Sequence, residues 1–168
     1  MTGETQRLAT ITRAGAVTEA RMSRDIDHPP ATLWRALTDP GFLPLWLAPG
    51  RIEPRVGGSV RLDFADSGTV IDSAVSAFED GRLIEYSWSS PGEPTRPVRW
   101  EIAPRGQGTR LTLTLRVPSD EDAGRACAGW EAHLQMLTAA LEGAPIKFPF
   151  ETFKAAREAY RAMPTQKS

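Results

Sequence analysis

Catalysis and metal binding need nucleophiles, bases or ligands within reach of one another, and this chain is poor in them. It holds two histidines, His28 and His133, and one cysteine, Cys127. No H-x-x-x-H, H-E-x-x-H or C-x-x-C spacing occurs, so neither a zinc site nor a dithiol redox site has a ligand set. A lone cysteine also excludes an internal disulfide and suits a reducing compartment. Ser59, Ser73 and Ser76 lack the G-x-S-x-G turn that lifts a nucleophile above a sheet. Gly57 and Gly58 in "RVGGSV" have no phosphate-loop or dinucleotide context and read as a turn or bulge between strands. Among the carboxylates, Asp72 is the candidate for an enzyme. It lies in a β-type run, and turned inward by a bulge its pKa would rise into a range useful for acid–base work. Its parity favours the wet face instead, as it does for Asp63, Glu85 and Glu101. His28, before Pro29, reads as a solvated corner residue. His133 borders an apolar helical stripe, where it could offer a donor and an acceptor to a ligand. No residue is assigned a catalytic role, and no metal or cofactor is expected.

What the chain does carry is aromatic side chains with polar tips. Trp46, Phe64, Tyr86, Trp88, Trp100 and Trp130 all project by parity or period toward one interior space, beside His133. Buried indole N–H and phenol O–H groups need partners, so their convergence suits an amphipathic pocket better than a dry aliphatic core. These seven residues form the candidate ligand-binding set. In "PPATLWRALTDPGFLPLWL" the two tryptophans divide: Trp34 is expected in the core and Trp46 at the cavity mouth.

The elements that must position them follow from the pattern. Residues 17–26, "VTEARMSRDI", put Ala20, Met22 and Ile26 on one parity, with Arg24 interrupting the apolar face. An earlier strand over 7–13 would pair with it through a turn at Gly15. "DHPPATLWRALTD" starts a helix, its prolines tolerated in the first turn, and "FLPLWL" adds a second short turn after the break at "DPG". Four runs then alternate with period two, 56–64, 81–88, 97–104 and 109–117, and 68–78 is a longer β-type run. Their links are too short for parallel crossovers, which predicts an antiparallel meander. From about Asp120 to Leu141 the period becomes helical, with Ala126, Trp130, Leu134, Leu137 and Leu141 in one stripe and Ser119 or Asp120 as cap. Residues 148–163 predict a last helix with Phe150, Phe153, Tyr160 and Met163 on one side.

At 168 residues the chain fits one domain. Twenty basic and 21 acidic residues give a net charge of −1, so no face for nucleic acid or an anionic membrane stands out. No signal-peptide core and no apolar run long enough to span a bilayer occurs, which leads to a cytoplasmic expectation.

The order of strand, two short helices, meander and long helix is the helix-grip arrangement, an α+β fold in which a curved antiparallel sheet wraps a long C-terminal helix. "PPATLWRALTDPGFLPLWL", "IEPRVGGSVRLDF", "GRLIEYSW", "VRWEIAPRGQGTRLTLTL" and "GWEAHLQMLTAALEG" together resemble the Hsp90-ATPase-activator-like branch of the START/Bet v 1 (SRPBCC) superfamily. The resemblance covers residues 17–142. It leaves 1–16 as an N-terminal extension or extra strand and 143–168 as a C-terminal extension with a helix like that of some bacterial members. It implies a cavity between sheet and helix that accepts a hydrophobic or amphipathic small molecule. The expected function is therefore non-enzymatic binding of such a ligand. A cyclase- or hydrolase-like enzyme using the same cavity and a co-chaperone-like interaction module are the alternatives. The eukaryotic co-chaperone behind the family name carries a separate N-terminal domain that makes major chaperone contacts, and its lack here argues against an Hsp90-type partner. The apolar side of the last helix needs cover from its own domain or from a second copy in a homodimer.

Overall fold

The computed structural model describes residues 8–65 and 67–163, and the backbone of 166–167. Residues 1–7, part of the expected N-terminal extension, lie outside the described residues. Two strands, β1 (Thr10–Ala14) and β2 (Val17–Ile26), form the expected hairpin, turned at Gly15 with φ 64°. Helix α1 (Pro30–Thr38) opens with proline in its first turn. It stops at Asp39, whose extended backbone is the conformation a residue before proline prefers. A 3-10 turn, Leu43–Leu45, supplies the second short helix.

Six strands follow: β3 (Gly50–Ile52), β4 (Ser59–Phe64), β5 (Thr69–Glu79), β6 (Leu83–Ser87), β7 (Pro97–Arg105) and β8 (Gly108–Pro118). The curved sheet runs β3-β4-β5-β6-β7-β8-β2-β1, every neighbouring pair antiparallel, and a two-residue strand β9 (Gln166–Lys167) pairs parallel with β1. Edge strand β3, which the sequence pattern did not single out, depends on Gly50. A Cβ there would lie 1.9 Å from the Arg61 carbonyl oxygen, so only glycine allows the pairing with β4. The register of β5 against β6 slips between Val75 and Ala77, a bulge that helps bend the sheet.

Period-two parity decides what faces inward. Ala20, Met22, Val60, Leu62, Ile71, Val75, Ile84, Val98, Leu111 and Leu113 are all buried on the inner face. The outer face carries ion pairs between strand neighbours in register: Arg99–Glu85 at 2.8 Å, Arg116–Glu19 at 3.1 Å and Arg110–Asp25 at 3.2 Å. Part of the chain's arginine thus serves cross-strand pairing.

Helix α2 (Ala123–Leu141) packs on the inner face and buries Cys127, Trp130, Leu134 and Leu137. Its cap is Asp122, whose side chain accepts from the Arg125 N–H at 3.0 Å; the expected caps Ser119 and Asp120 lie too early. Helix α3 (Phe150–Arg161) covers α2 of its own domain and buries Tyr160. The Tyr160 hydroxyl donates to Glu131 Oε2 at 2.6 Å and accepts from the Ala9 N–H at 2.8 Å. Glu131, 2% exposed, also pairs with Arg24. The charge that interrupts the apolar parity of β2 is therefore aimed inward at a buried carboxylate, and one network joins β1, β2, α2 and α3.

Candidate functional site

The aromatic residues form one edge-to-face chain running from the interior to the surface. Trp46 meets Trp100 with ring centroids 5.6 Å apart, Trp100 meets Trp130 at 5.4 Å, and Trp130 meets Trp88 at 4.7 Å. From there one branch leads to Phe64, 5.8 Å from Trp88. The other passes from Trp130 to His133 at 5.6 Å and on to Phe148 at 5.5 Å. Such tilted contacts align ring edges with ring faces and contribute beyond simple burial.

The chain divides into a filled half and an open half. Trp46, Tyr86 and Trp100 are each 1% exposed or less. Both indoles are paired internally: Trp46 Nε1 donates to the Ala36 carbonyl at 2.7 Å, and Trp100 Nε1 donates to the Tyr86 hydroxyl at 3.2 Å. Burial, only partly opposed by that hydrogen bond, pushes the Tyr86 phenol well above its ordinary pKa. Neither indole needs a ligand as partner. The expected roles of the two tryptophans in the opening stretch are thus reversed. The 3-10 turn points Trp46 into the core beneath α1, whereas Trp34 is half-buried at the periphery against Phe78.

Phe64, Trp88, Trp130 and His133 instead wall a groove of about 580 Å³ at one end of the sheet, where Arg125, Gly129 and Phe153 also contribute. The β4–β5 hairpin supplies Phe64, the end of β6 supplies Trp88, and α2 supplies Arg125, Gly129, Trp130 and His133. His133 is fixed by its Nδ1, 3.0 Å from the Trp46 carbonyl. A carbonyl only accepts, so Nδ1 carries the proton and Nε2 is the free lone pair of the neutral ring. Burial holds the His133 pKa below its ordinary value, with the Trp46 carbonyl only partly compensating.

Groove residues Arg125 and Gly129 were not singled out from sequence, nor was Phe148 beside His133. Phe153 was expected only on the apolar side of the last helix, Phe148, edge-to-face with His133, lies in a loop without period, and Arg125 gave no distinctive signal. Gly129 did carry one, since glycine inside a helical pattern costs stability and asks for a reason.

The other chemical candidates lie elsewhere. Asp72 stays on the outer face, 3.5 Å from Arg61, its cross-strand neighbour. Ser73 and Ser76 donate to the Ser87 carbonyl and to Glu85. Burial pushes the Cys127 thiol up to about 12, with the Glu131 charge adding to the shift. His28 is half-buried, not solvated as expected, with Nε2 3.6 Å from Glu142 Oε1 and its carbonyl accepting from Thr109. Among the described residues, no three His, Cys, Asp or Glu side chains gather as a metal ion would require, and no helix is long and apolar enough to cross a membrane.

The same architecture recurs in solved structures. CalU16 from Micromonospora echinospora, in its solution structure, is 21% identical, with 96% of this chain and 97% of that one aligned at a TM-score of 0.76. The protein encoded by BPP1335 from Bordetella parapertussis is 25% identical over 88% of this chain and 87% of that one, with a TM-score of 0.72. DynU16, from the dynemicin biosynthetic locus, is 27% identical, with 76% of this chain and 48% of that one aligned at 0.68. No curated protein matches the chain. Residues 27–142 match the family described as activator of Hsp90 ATPase homolog 1-like protein, which spans all elements from the entry to α1 to the end of α2, and the chain belongs to that family.

Proposed function

We propose that the protein binds a small amphipathic or aromatic molecule in the groove walled by Phe64, Trp88, Trp130 and His133, without transforming it. The observation that carries this reading is the groove itself. Its volume of about 580 Å³ falls within the ordinary range of small-molecule sites, and its aromatic walls are edged by Ser67, Thr69, Glu121, Asp122, Arg125 and His133, which gives it an amphipathic lining. The site is the outer end of the expected space between sheet and long helix, because the inner end is filled by Trp46, Tyr86 and Trp100. A neighbour of this fold in a biosynthetic locus supports a small-molecule setting.

The arrangement supports binding rather than catalysis. Among the described residues no carboxylate stands against either ring nitrogen of His133, Asp72 is turned away, and the buried thiol of Cys127 is protonated at neutral pH. The outer face of the sheet bears ion pairs where an interaction module would expose an apolar patch.

The test is a fluorescence titration with an environment-sensitive apolar dye and a panel of flat aromatic and fatty compounds, read also as quenching of tryptophan emission. Saturable binding is expected, weakened by Trp88→Ala and abolished by Gly129→Leu. A Cβ at Gly129 meets nothing within 4 Å, so a leucine there fills the groove without a clash at its first carbon. Absence of saturable binding across the panel, or binding indifferent to both variants, would overturn the reading. Product formation would replace it with an enzyme.

A further inference from the structure

We infer that the groove takes a flat hydroxyaromatic acid, whose hydroxyl donates to His133 Nε2 at one end and whose anionic group meets Arg125 at the other. This rests on the ligand-binding reading above and specifies the polarity of its ligand.

The His133 end is an acceptor. Its Nδ1 proton is committed to the Trp46 carbonyl, its ring lines the groove, and Nε2 has no protein partner among the described residues. A neutral imidazole fixed in this tautomer selects an O–H or N–H donor and offers nothing to a carbonyl or ether. The ring is held by Phe64 and Phe148 from other parts of the chain and by Trp130 one turn earlier on α2, so the lone pair has a fixed direction.

The Arg125 end is positive. Two carboxylates, Glu121 and Asp122, also reach this part of the groove, but both are already engaged. Arg96 holds both oxygens of Glu121, at 2.8 and 2.9 Å. Asp122 accepts from the Arg125 backbone N–H through Oδ1 and from Arg157 through Oδ2, at 3.0 and 2.9 Å. The Arg125 guanidinium has no ion-pair partner among the described residues. It is the charge at that end which a ligand can still neutralise.

The middle is bare and flat. Arg125 and His133 are eight residues apart on α2, about 12 Å along the axis at 1.5 Å per residue. Gly129 stands midway and exposes helix backbone where any other residue would project a side chain. Trp88 and Trp130 flank that stretch with ring faces and edges. A ligand of two fused or linked rings has the length to join both ends while its body stacks between them.

The experiment uses a chemically matched set on the full-length protein: a para-hydroxybiphenyl carboxylic acid, its carboxamide, its amine counterpart, and the methyl ether of the acid. Calorimetry or tryptophan quenching gives each Kd. The acid is expected to bind tightest. A lost hydrogen bond to a charged or buried partner costs roughly tenfold in affinity, so the carboxamide and the methyl ether should each be weaker by about that factor. Arg125→Gln should bring acid and carboxamide to the same affinity and leave the methyl-ether difference intact. Added salt should weaken the acid and spare the carboxamide, since the guanidinium is exposed. Equal binding of all four compounds, or tighter binding of the amine, overturns the polarity assigned here. If that binding is still lost in Gly129→Leu, the groove reading survives. If no compound binds, the groove reading falls with it.

Discussion

His133 Nδ1 lies 3.0 Å from the Trp46 carbonyl oxygen, joining the long helix to the 3-10 turn and setting the tautomer of the groove's only histidine among the described residues. Burial lowers the pKa of this ring from its ordinary value of about 6.5. The unfolded chain therefore binds a proton at a higher pH than the folded one does. Stability attributable to His133 is unaffected above about 6.5, falls as pH drops below that value, and levels off below the folded pKa. Thermal melts of wild type and His133→Gln should run parallel above neutrality. On acidification the wild type should lose stability relative to the variant. A difference that stays constant from mildly alkaline to mildly acidic pH would show that His133 is not held neutral by its surroundings.

The Tyr160 hydroxyl bridges Glu131 and the Ala9 N–H, and its removal leaves both short of a partner inside the protein. Tyr160→Phe should cost about 1–3 kcal/mol, the penalty for an unsatisfied buried polar group. Cys127, one helical turn before Glu131 and fully buried, supplies an independent readout. Its thiol should resist a disulfide reagent in the wild type and react faster in Tyr160→Phe, where α3 holds less firmly. Equal stability and equal labelling in the two proteins would show that the network does not secure the last helix.

Leu134 is 5% exposed on the face of α2 that meets the sheet. Leu134→Asp would bury an unpaired charge in that contact, and a loss beyond about 4 kcal/mol, enough to unfold the domain, is expected. Leu134→Ala, which only leaves a cavity, should remain folded and lose about 2–5 kcal/mol. Denaturant melts distinguish the two. An unchanged midpoint for the aspartate variant would mean that this face of α2 is not packed on the sheet.

Most of the architecture was legible because it depends on local period. Strands 59–64, 83–87, 97–105 and 108–118 each showed one apolar parity, and that parity is the buried face, whereas 69–79 showed no single parity and carries a bulge between Val75 and Ala77. The long helix showed its stripe, and the capping error of two or three residues reflects four acidic or hydroxyl candidates in a row from 119 to 122. What depends on contacts across the chain was not legible. Trp34 and Trp46 have the same composition around them, and only the direction of the 3-10 turn sends one inward. Arg24 looked like a flaw in β2 because its partner, Glu131, lies 107 residues away. The site followed the same division. Parity placed Tyr86, Trp88 and Trp100 on the inner face, but whether they line a space or fill it depends on what α2 brings opposite them. There Trp130 closes the inner end, and Gly129 opens the outer one.

Two glycines in that helix give the sharpest test of which of its faces is free. Ala for Gly inside a helix gains about 1 kcal/mol when the new methyl group meets no neighbour. At Gly129 a Cβ encounters nothing within 4 Å, so Gly129→Ala should approach that gain. At Gly124 the same atom would lie 3.1 Å from Tyr160 Cβ and 3.4 Å from Asp122 Oδ1, so α3 must shift before the methyl group fits. Gly124→Ala should therefore gain little or lose stability, the more so because it strains the Tyr160 hydroxyl network. Measured by denaturant unfolding, the two substitutions should differ in effect although they are five residues apart on one helix. Equal gains would mean that α3 does not press on the start of α2. A loss at Gly129 would mean that the stretch between Trp88 and Trp130 is already filled, which would remove the groove from which the binding reading was built.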